Sequence, residues 1–220
     1  MMKIGITTRI IYEDGIRKQF VNEQYIDYVR KANLTPIILP MYEEIDNILD
    51  LCDAFLITGG EDIDSLWYNE ERSEMLGKFD LAMDKCDKKV IEYAYNNNKP
   101  LFGICRGLQA INAFLGGSLI QHISDNSHKK IEKGVPFEVV ENNSIFPKIY
   151  SNDSKINSYH HQAINKLAPN FLICGYSNGV IEAIAHETKP IIAVQWHPEK
   201  ILDDESINLI KEFAKLINKK

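Results

Sequence analysis

The chain has 220 residues, which is enough for one α/β domain with a sizeable core. Its 25 Lys and Arg residues are outnumbered by 31 Asp and Glu residues, and the net charge of −6 argues against a broad surface for nucleic acid or for an anionic membrane. We therefore expect small-molecule partners and a single domain over residues 1–220.

Cysteine usage and the N-terminus indicate the compartment. The N-terminus has no long apolar segment followed by a small-residue cleavage site, and no apolar run approaches the roughly 18 residues of a membrane span. The cysteines show neither paired metal-ligand spacing nor a small disulfide framework, and they stand at Cys52, Cys86, Cys105 and Cys174. The expected location is the reducing cytoplasm, without membrane contact.

Strands and helices alternate along the first half of the chain. Three apolar runs predict buried strands, at residues 3–8, 35–39 and 54–58. A polar loop is predicted between the first strand and a helix over residues 21–32, and a short helix is predicted around residues 45–49. Such alternation is typical of a parallel sheet.

The second half has a different pattern. A helix over residues 84–96 precedes the strand that starts at residue 100, and an amphipathic helix over residues 206–217 closes the chain. Residues 135–140 predict an edge strand because Pro136 cannot donate to a sheet. Three late strands follow one another without long helices between them, at residues 171–176, 180–185 and 190–195. This run predicts a locally antiparallel extension of the sheet.

The clearest chemical signal lies at residues 99–117, KPLFGICRGLQAINAFLGG. The apolar run ends at Cys105, and from Leu108 onward the apolar residues recur at helical spacing. Gly103 and Gly107 flank the cysteine, as a tight strand-to-helix turn requires. The stretch predicts a nucleophile elbow, in which free amides at the helix N-terminus lower the thiol pKa and can hold an oxyanion. A buried structural cysteine is the other interpretation.

A partner for the cysteine is predicted at residues 190–199, PIIAVQWHPE. In extended backbone His197 and Glu199 point to the same side, and Pro198 biases His197 toward that conformation. A carboxylate that holds one ring nitrogen while the other faces a thiol is the arrangement of a catalytic triad. We therefore predict Cys105 as nucleophile, His197 as base and acid, and Glu199 as the residue that orients His197.

Residues 157–164, NSYHHQAI, place hydroxyl, amide and imidazole groups in a row, which suits recognition of a polar substrate. His160 and His161 do not predict a metal site because adjacent side chains diverge and no other Cys or His lies at ligand spacing. His122 and His128 fall in a polar segment and are expected to be solvated. No metal is predicted.

With GICRGLQ, QWHPE, TGG and NSYHHQAI together, the sequence resembles the class I glutamine amidotransferase superfamily, and within it the peptidase C26 type, the γ-glutamyl-γ-aminobutyrate hydrolase family. The likeness runs from the first strand to the closing helix. It implies a flavodoxin-like α/β fold, with a mostly parallel central sheet flanked by helices and a smaller antiparallel extension. It also implies an oxyanion hole from the amides of Gly60 and Arg106, and no metal or organic cofactor. The residues that it places beside the γ-glutamyl group are Gln109, Ser158, Tyr159, His160 and His161.

The chain departs from the family pattern at two places near the rim of the expected site. The family usually has Gly-Gly-x-Asp-x-x-Pro, and in residues 59–65 of this chain Ser65 stands in place of the proline. The family tends to have Arg-Asp-x-x-Glu before the central strand, where this chain has Met83, Asp84 and Asp87. Both changes concern the leaving group rather than the hydrolytic core.

The leading hypothesis is a stand-alone hydrolase that cleaves a γ-glutamyl amide to glutamate and an amine through a glutamyl thioester. The leaving group is either γ-aminobutyrate-like or a CDP-phosphoramidate, as in the hydrolysis of γ-glutamyl-CDP-amidate in capsule biosynthesis. The polar loop residues Arg9, Arg17 and Lys18 are either contacts for such a diphosphate or merely solvated.

Other functions stay open at this point. The first is a glutaminase subunit that delivers ammonia to a separate synthetase, which would be an obligatory partner. The more remote one is a non-catalytic binding module on the same fold. The sequence leaves a homodimer open under each hypothesis.

Overall fold

The computed structural model describes residues 2–42, 44–124 and 128–217. The strands are β1 (Lys3–Thr7), β2 (Arg9–Glu13), β3 (Ile16–Phe20), β4 (Thr35–Leu39), β5 (Ala54–Ile57), β6 (Leu101–Ile104), β7 (Leu119–Ile120), β8 (Ile131–Pro136), β9 (Glu138–Val139), β10 (Lys155–Ser158), β11 (Ala163–Ile164), β12 (Phe171–Ser177), β13 (Val180–His186) and β14 (Ile191–Val194). The α-helices are α1 (Glu23–Arg30), α2 (Asp46–Leu49), α3 (Leu81–Asn96), α4 (Arg106–Phe114), α5 (Pro198–Ile201) and α6 (Asp204–Ile217). Short 3-10 helices occur at Ser65–Tyr68 and Phe146–Lys148.

A central sheet organises the described residues. Its strand order is β4-β1-β5-β6-β14-β13-β12-β9. Neighbouring strands from β4 to β14 are parallel, and β13, β12 and β9 continue the sheet in antiparallel pairing. The α/β fold, its mostly parallel sheet and its antiparallel extension are thus confirmed. The assignment of residues 1–220 to one domain stays a prediction.

The core occupies both faces of this sheet because strand side chains alternate between them. Ile4 and Ile6 of β1 pack into the apolar layer that α1 and α6 cover. Phe55 and Ile57 of β5 pack into the opposite layer, which α3 and α4 cover. The sheet is therefore buried between two helical layers, and its strand ends are left for polar chemistry. Among the described residues, none of the helices combines the length and the apolar character that crossing a membrane requires.

The predicted polar loop after β1 is wrong, because those residues form a β-hairpin. Strands β2 and β3 pair antiparallel, and Asp14 and Gly15 form the turn between them with φ of 51° and 76°. Positive φ at both central residues matches the twist of a hairpin, and Asp-Gly is a favoured pair at such turns. Periodicity did not reveal the strands because every side chain of β3 is exposed.

The predicted edge strand over residues 135–140 is divided between two sheets. Strand β8 pairs with β10 in a small separate sheet, while β9 forms the edge of the central sheet beside β12. Phe137 lies between them, fully buried against the ring of Trp196. The apolar side chain at the break therefore anchors the antiparallel extension to the core.

Candidate active site

Cys105 occupies the tight turn between β6 and α4, so the predicted nucleophile elbow is present. Its backbone has φ of 53° and ψ of −108°. A non-glycine residue in such a region costs about 1–3 kcal/mol and persists only where its surroundings impose it. The Cys105 amide donates to the carbonyl of Val194 in β14 at 2.8 Å, which ties the turn to the neighbouring strand.

The two glycines that flank the cysteine are required by close packing. A Cβ on Gly107 would lie 2.2 Å from the carbonyl oxygen of Ile57 in β5. A Cβ on Gly103 would lie 2.7 Å from the backbone of Gly107. Helix α4 can therefore start directly above the sheet only because neither residue has a side chain.

His197 follows β14, and the sheet register brings it to the same edge as the cysteine. Val194 of β14 lies opposite Ile104 of β6. The Nδ1 of His197 donates to the Oε1 of Glu199 at 2.6 Å. Asn157 fixes the histidine backbone from both sides, since its side chain accepts from the His197 amide and donates to the His197 carbonyl, each at 2.8 Å.

Cys105 and His197 shift each other's protonation. Burial alone would raise the pKa of the Cys105 thiol, but the charge of His197 and a hydrogen bond with it outweigh burial and hold that pKa below its ordinary value. Burial would likewise lower the pKa of His197, yet Cys105 and Glu199 raise it to about 10. Both shifts favour a thiolate and imidazolium pair, which is the reactive form of a cysteine nucleophile.

The other cysteines have the opposite tendency. Burial raises the pKa of Cys52 to about 11 and that of Cys86 to about 12, and it also raises the pKa of Cys174. All three are free thiols in the described part of the chain. At neutral pH they are therefore protonated and poorly nucleophilic, in contrast to Cys105.

The two candidate oxyanion donors come from different elements of the fold. Arg106 is the first residue of α4, and the first amides of a helix have no acceptor within it. Gly60 lies in the glycine turn after β5. At its neighbour Gly59, an added Cβ would lie 3.0 Å from His197 Cε1 and 3.6 Å from Cys105 Cβ. The glycine turn thus closes against the pair, and its role as an oxyanion donor stays a prediction.

A buried ion network lies beneath this turn. Arg9 donates from Nε to the carbonyl of Gly59 at 2.6 Å and pairs with Asp87 at 3.1 Å. Arg106 pairs with both Asp84 and Asp87, whose side chains are fully buried. The expectation that Asp84 and Asp87 lie near the rim of the site is wrong. Both are fully buried, and they pair with the arginines that contact the glycine turn and begin α4.

The three loop cations that the sequence left as either diphosphate contacts or solvated residues have contacts within the protein. The Arg9 guanidinium is buried and engaged by backbone carbonyls and Asp87. Lys18 pairs with Glu13 on the hairpin, and Arg17 contacts the sulfur of Met41 at 3.6 Å. All three cations thus have partners within the protein, and a contact between them and a diphosphate stays a prediction.

Gln109 lies behind the nucleophile, within a chain of amide hydrogen bonds. Its Nε2 donates to the carbonyl of Gln162 at 3.3 Å and to the Oε1 of Gln195 at 3.1 Å. The Nε2 of Gln195 in turn lies 3.6 Å from the Cys105 sulfur. Sequence reasoning had not singled out Gln195, although its place two residues before His197 in a buried strand was a signal.

The predicted substrate residues of the NSYHHQAI segment occupy different environments. The Tyr159 ring meets the His197 ring edge to face at 5.7 Å, and Lys200 Nζ lies 4.2 Å from the Tyr159 ring centre. His161 is half-buried, with Nε2 2.8 Å from the Oδ1 of Asp62. Their roles toward a substrate stay predictions.

Ser158 and His128 are both buried deeper than the sequence indicated. The Ser158 hydroxyl donates to the carbonyl of His128 at 3.1 Å, so this serine lies in the interior rather than at an open wall. The expected solvation of His128 is wrong, since that residue is 1% exposed. Its Nδ1 lies 3.4 Å from the Oε1 of Glu182, and the Nε2 of His160 lies 3.2 Å from the same oxygen.

These last three residues form a buried group that no sequence spacing had suggested. The nitrogen and oxygen atoms of His128, His160 and Glu182 lie within 4.8 Å of one another, a spacing that metal sites also show. The group lies in the core next to the candidate nucleophile. Within the group, both imidazoles contact the same oxygen of the Glu182 carboxylate.

A cleft of about 850 Å³ opens beside His197. Its walls are the hairpin, the glycine turn and the segment before α3. The lining residues include Ile11, Tyr12, Phe20, Tyr25, Gly60, Glu61, Lys78, Phe79, Asp80 and Lys200. His197 is among the lining residues, so the cleft opens next to the candidate base.

Comparisons with known proteins agree with this geometry. The peptidase C26 family model matches residues 4–199. The glutamine amidotransferase-like protein YvdE of Lactococcus lactis is 36% identical over 191 residues, covering 82% of this chain and 80% of its own. A γ-glutamyl-CDP-amidate hydrolase of Campylobacter jejuni is 29% identical over 226 residues, covering 98% and 99%. The crystal structure of a glutamine amidotransferase from Thermotoga maritima has the same fold, with a TM-score of 0.66, 15% identity and coverage of 99% and 96%.

Proposed function

The chain belongs to the peptidase C26 family, and from that premise we propose that it is a cysteine-dependent hydrolase of a γ-glutamyl amide. The family is that of the glutamine amidotransferase-like hydrolases that the sequence motifs indicated. The observation that carries the proposal is Cys105, a non-glycine residue held at φ 53° at a helix N-terminus with His197 as its charged neighbour. Strain of this kind is typical of sites where a side chain must be presented to a substrate.

In the first half of the proposed reaction, the Cys105 thiolate attacks the γ-carbonyl carbon of the substrate. The carbonyl electron pair moves onto oxygen, and the amides of Gly60 and Arg106 donate to the resulting oxyanion. When the tetrahedral intermediate collapses, His197 gives its proton to the departing nitrogen. The products of this half are a free amine and a γ-glutamyl thioester on Cys105.

In the second half, water replaces the amine. The neutral His197 takes a proton from the water as it attacks the thioester carbonyl, and the same amides hold the second oxyanion. Collapse expels the Cys105 thiolate and releases glutamate. Glu199 stabilises the imidazolium and keeps the Nδ1 proton in place throughout.

Glu199→Gln is expected to lower kcat by about 10²- to 10⁴-fold, and by less than the loss of Cys105 or His197. The amide keeps the size of the side chain but cannot stabilise the imidazolium, and its NH₂ can favour the wrong tautomer. Steady-state kinetics on the preferred substrate measures the effect. Glu212→Gln, on the exposed Glu212 and Lys215 pair of α6, is the matched control and should change kcat by less than about twofold. Full activity of Glu199→Gln would remove Glu199 from the mechanism.

The leaving group is proposed to be anionic and larger than ammonia. Both candidates, a γ-aminobutyrate-like acid and a CDP-phosphoramidate, carry negative charge. The charged residues of the cleft wall are mainly cations, with Arg9, Lys78 and Lys200 against Glu61 and Asp80. The cleft volume of about 850 Å³ exceeds what a four-carbon acid fills, and Tyr12 and Phe79 offer faces on which a base can stack. These features favour the nucleotide, as does the similarity to the Campylobacter jejuni hydrolase.

The test is release of glutamate by the isolated protein from glutamine, γ-glutamyl-γ-aminobutyrate, γ-glutamyl-CDP-amidate and a γ-glutamyl peptide. We expect turnover of γ-glutamyl-CDP-amidate at a kcat/KM at least about 100 times that for glutamine, which corresponds to roughly 2.7 kcal/mol of transition-state binding. Preference for γ-glutamyl-γ-aminobutyrate would keep the hydrolase and change its leaving group. Slow turnover of glutamine alone, or silence on all four, would favour a glutaminase that works with a synthetase partner, which copurification would identify.

Lys200→Met is expected to raise KM for the anionic amide about 5- to 20-fold and to leave KM for glutamine unchanged. The substitution removes the ammonium but keeps an aliphatic stem over the Tyr159 ring. A charge-assisted contact of about 1–2 kcal/mol accounts for that change in affinity. The matched control is Lys18→Met, whose lysine pairs with Glu13 on the exposed hairpin. An equal rise in KM for glutamine would contradict an interaction with the leaving group.

A further inference from the structure

The buried group of His128, His160 and Glu182 is not used by the proposed mechanism. Glu182 is fully buried on β13, which pairs with β14, the strand that precedes His197. The backbone amide of Gln195 donates to the backbone carbonyl of Glu182 at 2.7 Å. Burying an unpaired carboxylate would cost several kcal/mol. Its position in the core therefore requires a cationic or strongly donating partner.

The hydrogen bonds of His160 identify that partner. Its Nδ1 lies 2.9 Å from the carbonyl oxygen of Gln162, and its Nε2 lies 3.2 Å from the Oε1 of Glu182. The carbonyl oxygen of Gln162 can only accept, and so can a carboxylate oxygen of ionised Glu182, so beside an ionised Glu182 both ring nitrogens donate. An imidazole with two N–H groups is an imidazolium, and the geometry therefore indicates that His160 is charged.

His128 supports the same carboxylate. The Ser158 hydroxyl uses its proton on the His128 carbonyl, so it can only accept from the His128 Nδ1 at 3.1 Å. That Nδ1 also faces Glu182 at 3.4 Å, and the His128 and His160 rings lie 4.8 Å apart. One carboxylate thus orients two imidazoles in the core.

Hydrogen bonds connect His160 to the surroundings of Cys105. The Gln162 carbonyl that His160 contacts also accepts from Gln109 Nε2. Gln109 donates in turn to Gln195 Oε1, and Gln195 Nε2 lies 3.6 Å from the Cys105 sulfur. The groups that act on Cys105 are His197, His160 and Glu199, and the buried Tyr25 hydroxyl also feels the Cys105 charge. The groups that face His160 are Glu182 from β13, Cys105 from the elbow, His128, and the Gln162 carbonyl of its own segment. Burial would lower the pKa of His160, but Glu182 and then Cys105 outweigh burial and raise it.

We propose that Glu182 is a positioning residue that keeps His160 cationic beside Cys105, so that the nucleophile has a second positive neighbour in addition to His197. The inference rests on the proposed role of Cys105. It assigns to His160 an electrostatic task that is independent of any contact with substrate. It also explains why a carboxylate and two histidines share the core with a thiolate, since the cation on His160 interacts favourably with both negative groups.

The test is the pH dependence of Cys105 alkylation by iodoacetamide, followed by mass spectrometry. This reaction uses no substrate, so it stays informative even if no γ-glutamyl amide is hydrolysed. The other thiols are buried with raised pKa values and contribute little at neutral pH. In Glu182→Gln the midpoint of alkylation should move to higher pH by about one unit, because His160 loses its proton and the thiolate loses a neighbouring cation.

A double-mutant cycle separates positioning from simple damage to the fold. His160→Gln alone should move the midpoint in the same direction, and adding Glu182→Gln to it should move the midpoint no further. Glu187→Gln, at an exposed residue just after β13, is the matched control and should leave the midpoint unchanged. An unchanged midpoint in folded Glu182→Gln, or additive shifts in the double variant, would overturn the proposal.

A measurement on the unaltered protein keeps the proposal testable if these variants fail to fold. In protein labelled with ¹⁵N-histidine, the His160 ring should show two protonated nitrogens at pH 7. The ring signals of His160 are assigned by through-bond correlation to its sequentially assigned backbone, because His197 is expected to be charged as well. A neutral His160 ring at pH 7, or one equivalent of Zn²⁺ retained by the purified protein and lost in Glu182→Gln, would contradict the cation on His160.

Discussion

Cys105→Ala is expected to abolish hydrolysis of every γ-glutamyl amide, with a loss in kcat of about 10⁴-fold or more, while the protein stays folded. The methyl group removes the proposed nucleophile and leaves the glycine-lined turn undisturbed. Alanine has a Cβ as cysteine does, so the strain of φ 53° is the same before and after the change. The thermal midpoint should therefore move by only a few degrees. Glutamate release and circular dichroism measure the two effects.

The control for this prediction is Cys86→Ala on α3. It removes a buried thiol that has a raised pKa and takes no part in the proposed mechanism. It should keep kcat within about twofold, with a modest loss of stability from the small cavity. If Cys105→Ala kept a tenth of the activity, the nucleophile would have to be another group and the proposed mechanism would fail.

Asp87→Asn is expected to lower the free energy of unfolding by about 3–5 kcal/mol. Asp87 is fully buried and neutralises two guanidinium groups, those of Arg9 and Arg106. An amide has the same shape but no charge, so the change leaves two buried cations with Asp84 as their nearest carboxylate. Urea denaturation followed by circular dichroism gives the free energy.

Glu13→Gln is the matched control for the buried network. Its carboxylate pairs with Lys18 on the exposed hairpin, where both side chains are about half exposed. Its loss should change the free energy of unfolding by less than about 1 kcal/mol. Because Arg9 holds the Gly59 carbonyl and Arg106 begins α4, Asp87→Asn should also lower kcat under conditions where the variant is folded. Unchanged stability of Asp87→Asn would mean that the network is not held by this carboxylate.

Local sequence patterns were sufficient for the elbow and for most of the fold. The change from an apolar run to helical spacing occurs at Cys105, and the flanking glycines mark a turn too tight for side chains. His197 and Glu199 are two residues apart, so their contact could be inferred from backbone geometry alone. Features of this kind need only neighbours in the chain, and that is why they could be predicted.

Pairings between distant segments could not be obtained in this way. Arg9 and Asp87 are 78 residues apart, and His160 and Glu182 are 22 apart, and each residue alone resembles an ordinary surface charge. Burial of charged groups depends on which elements close over them, and only the assembled sheet settles that. The hairpin was a different case, since Asp14-Gly15 was a readable turn signal among exposed strands.

The strand arrangement separates the reaction from the choice of substrate. Strands β6 and β14 pair at the centre of the sheet, and their register places the proposed nucleophile and base, which follow them, at the same edge. The hairpin that walls the cleft pairs, within the described residues, only with itself, and its outer side chains are largely exposed. Mutations of these exposed side chains, in contrast to the buried Arg9 at the start of β2, therefore cost little folding energy and leave the proposed chemistry intact. Under the proposed function, we therefore expect an altered hairpin to change which leaving group the protein accepts and to leave the attack by Cys105 unaffected.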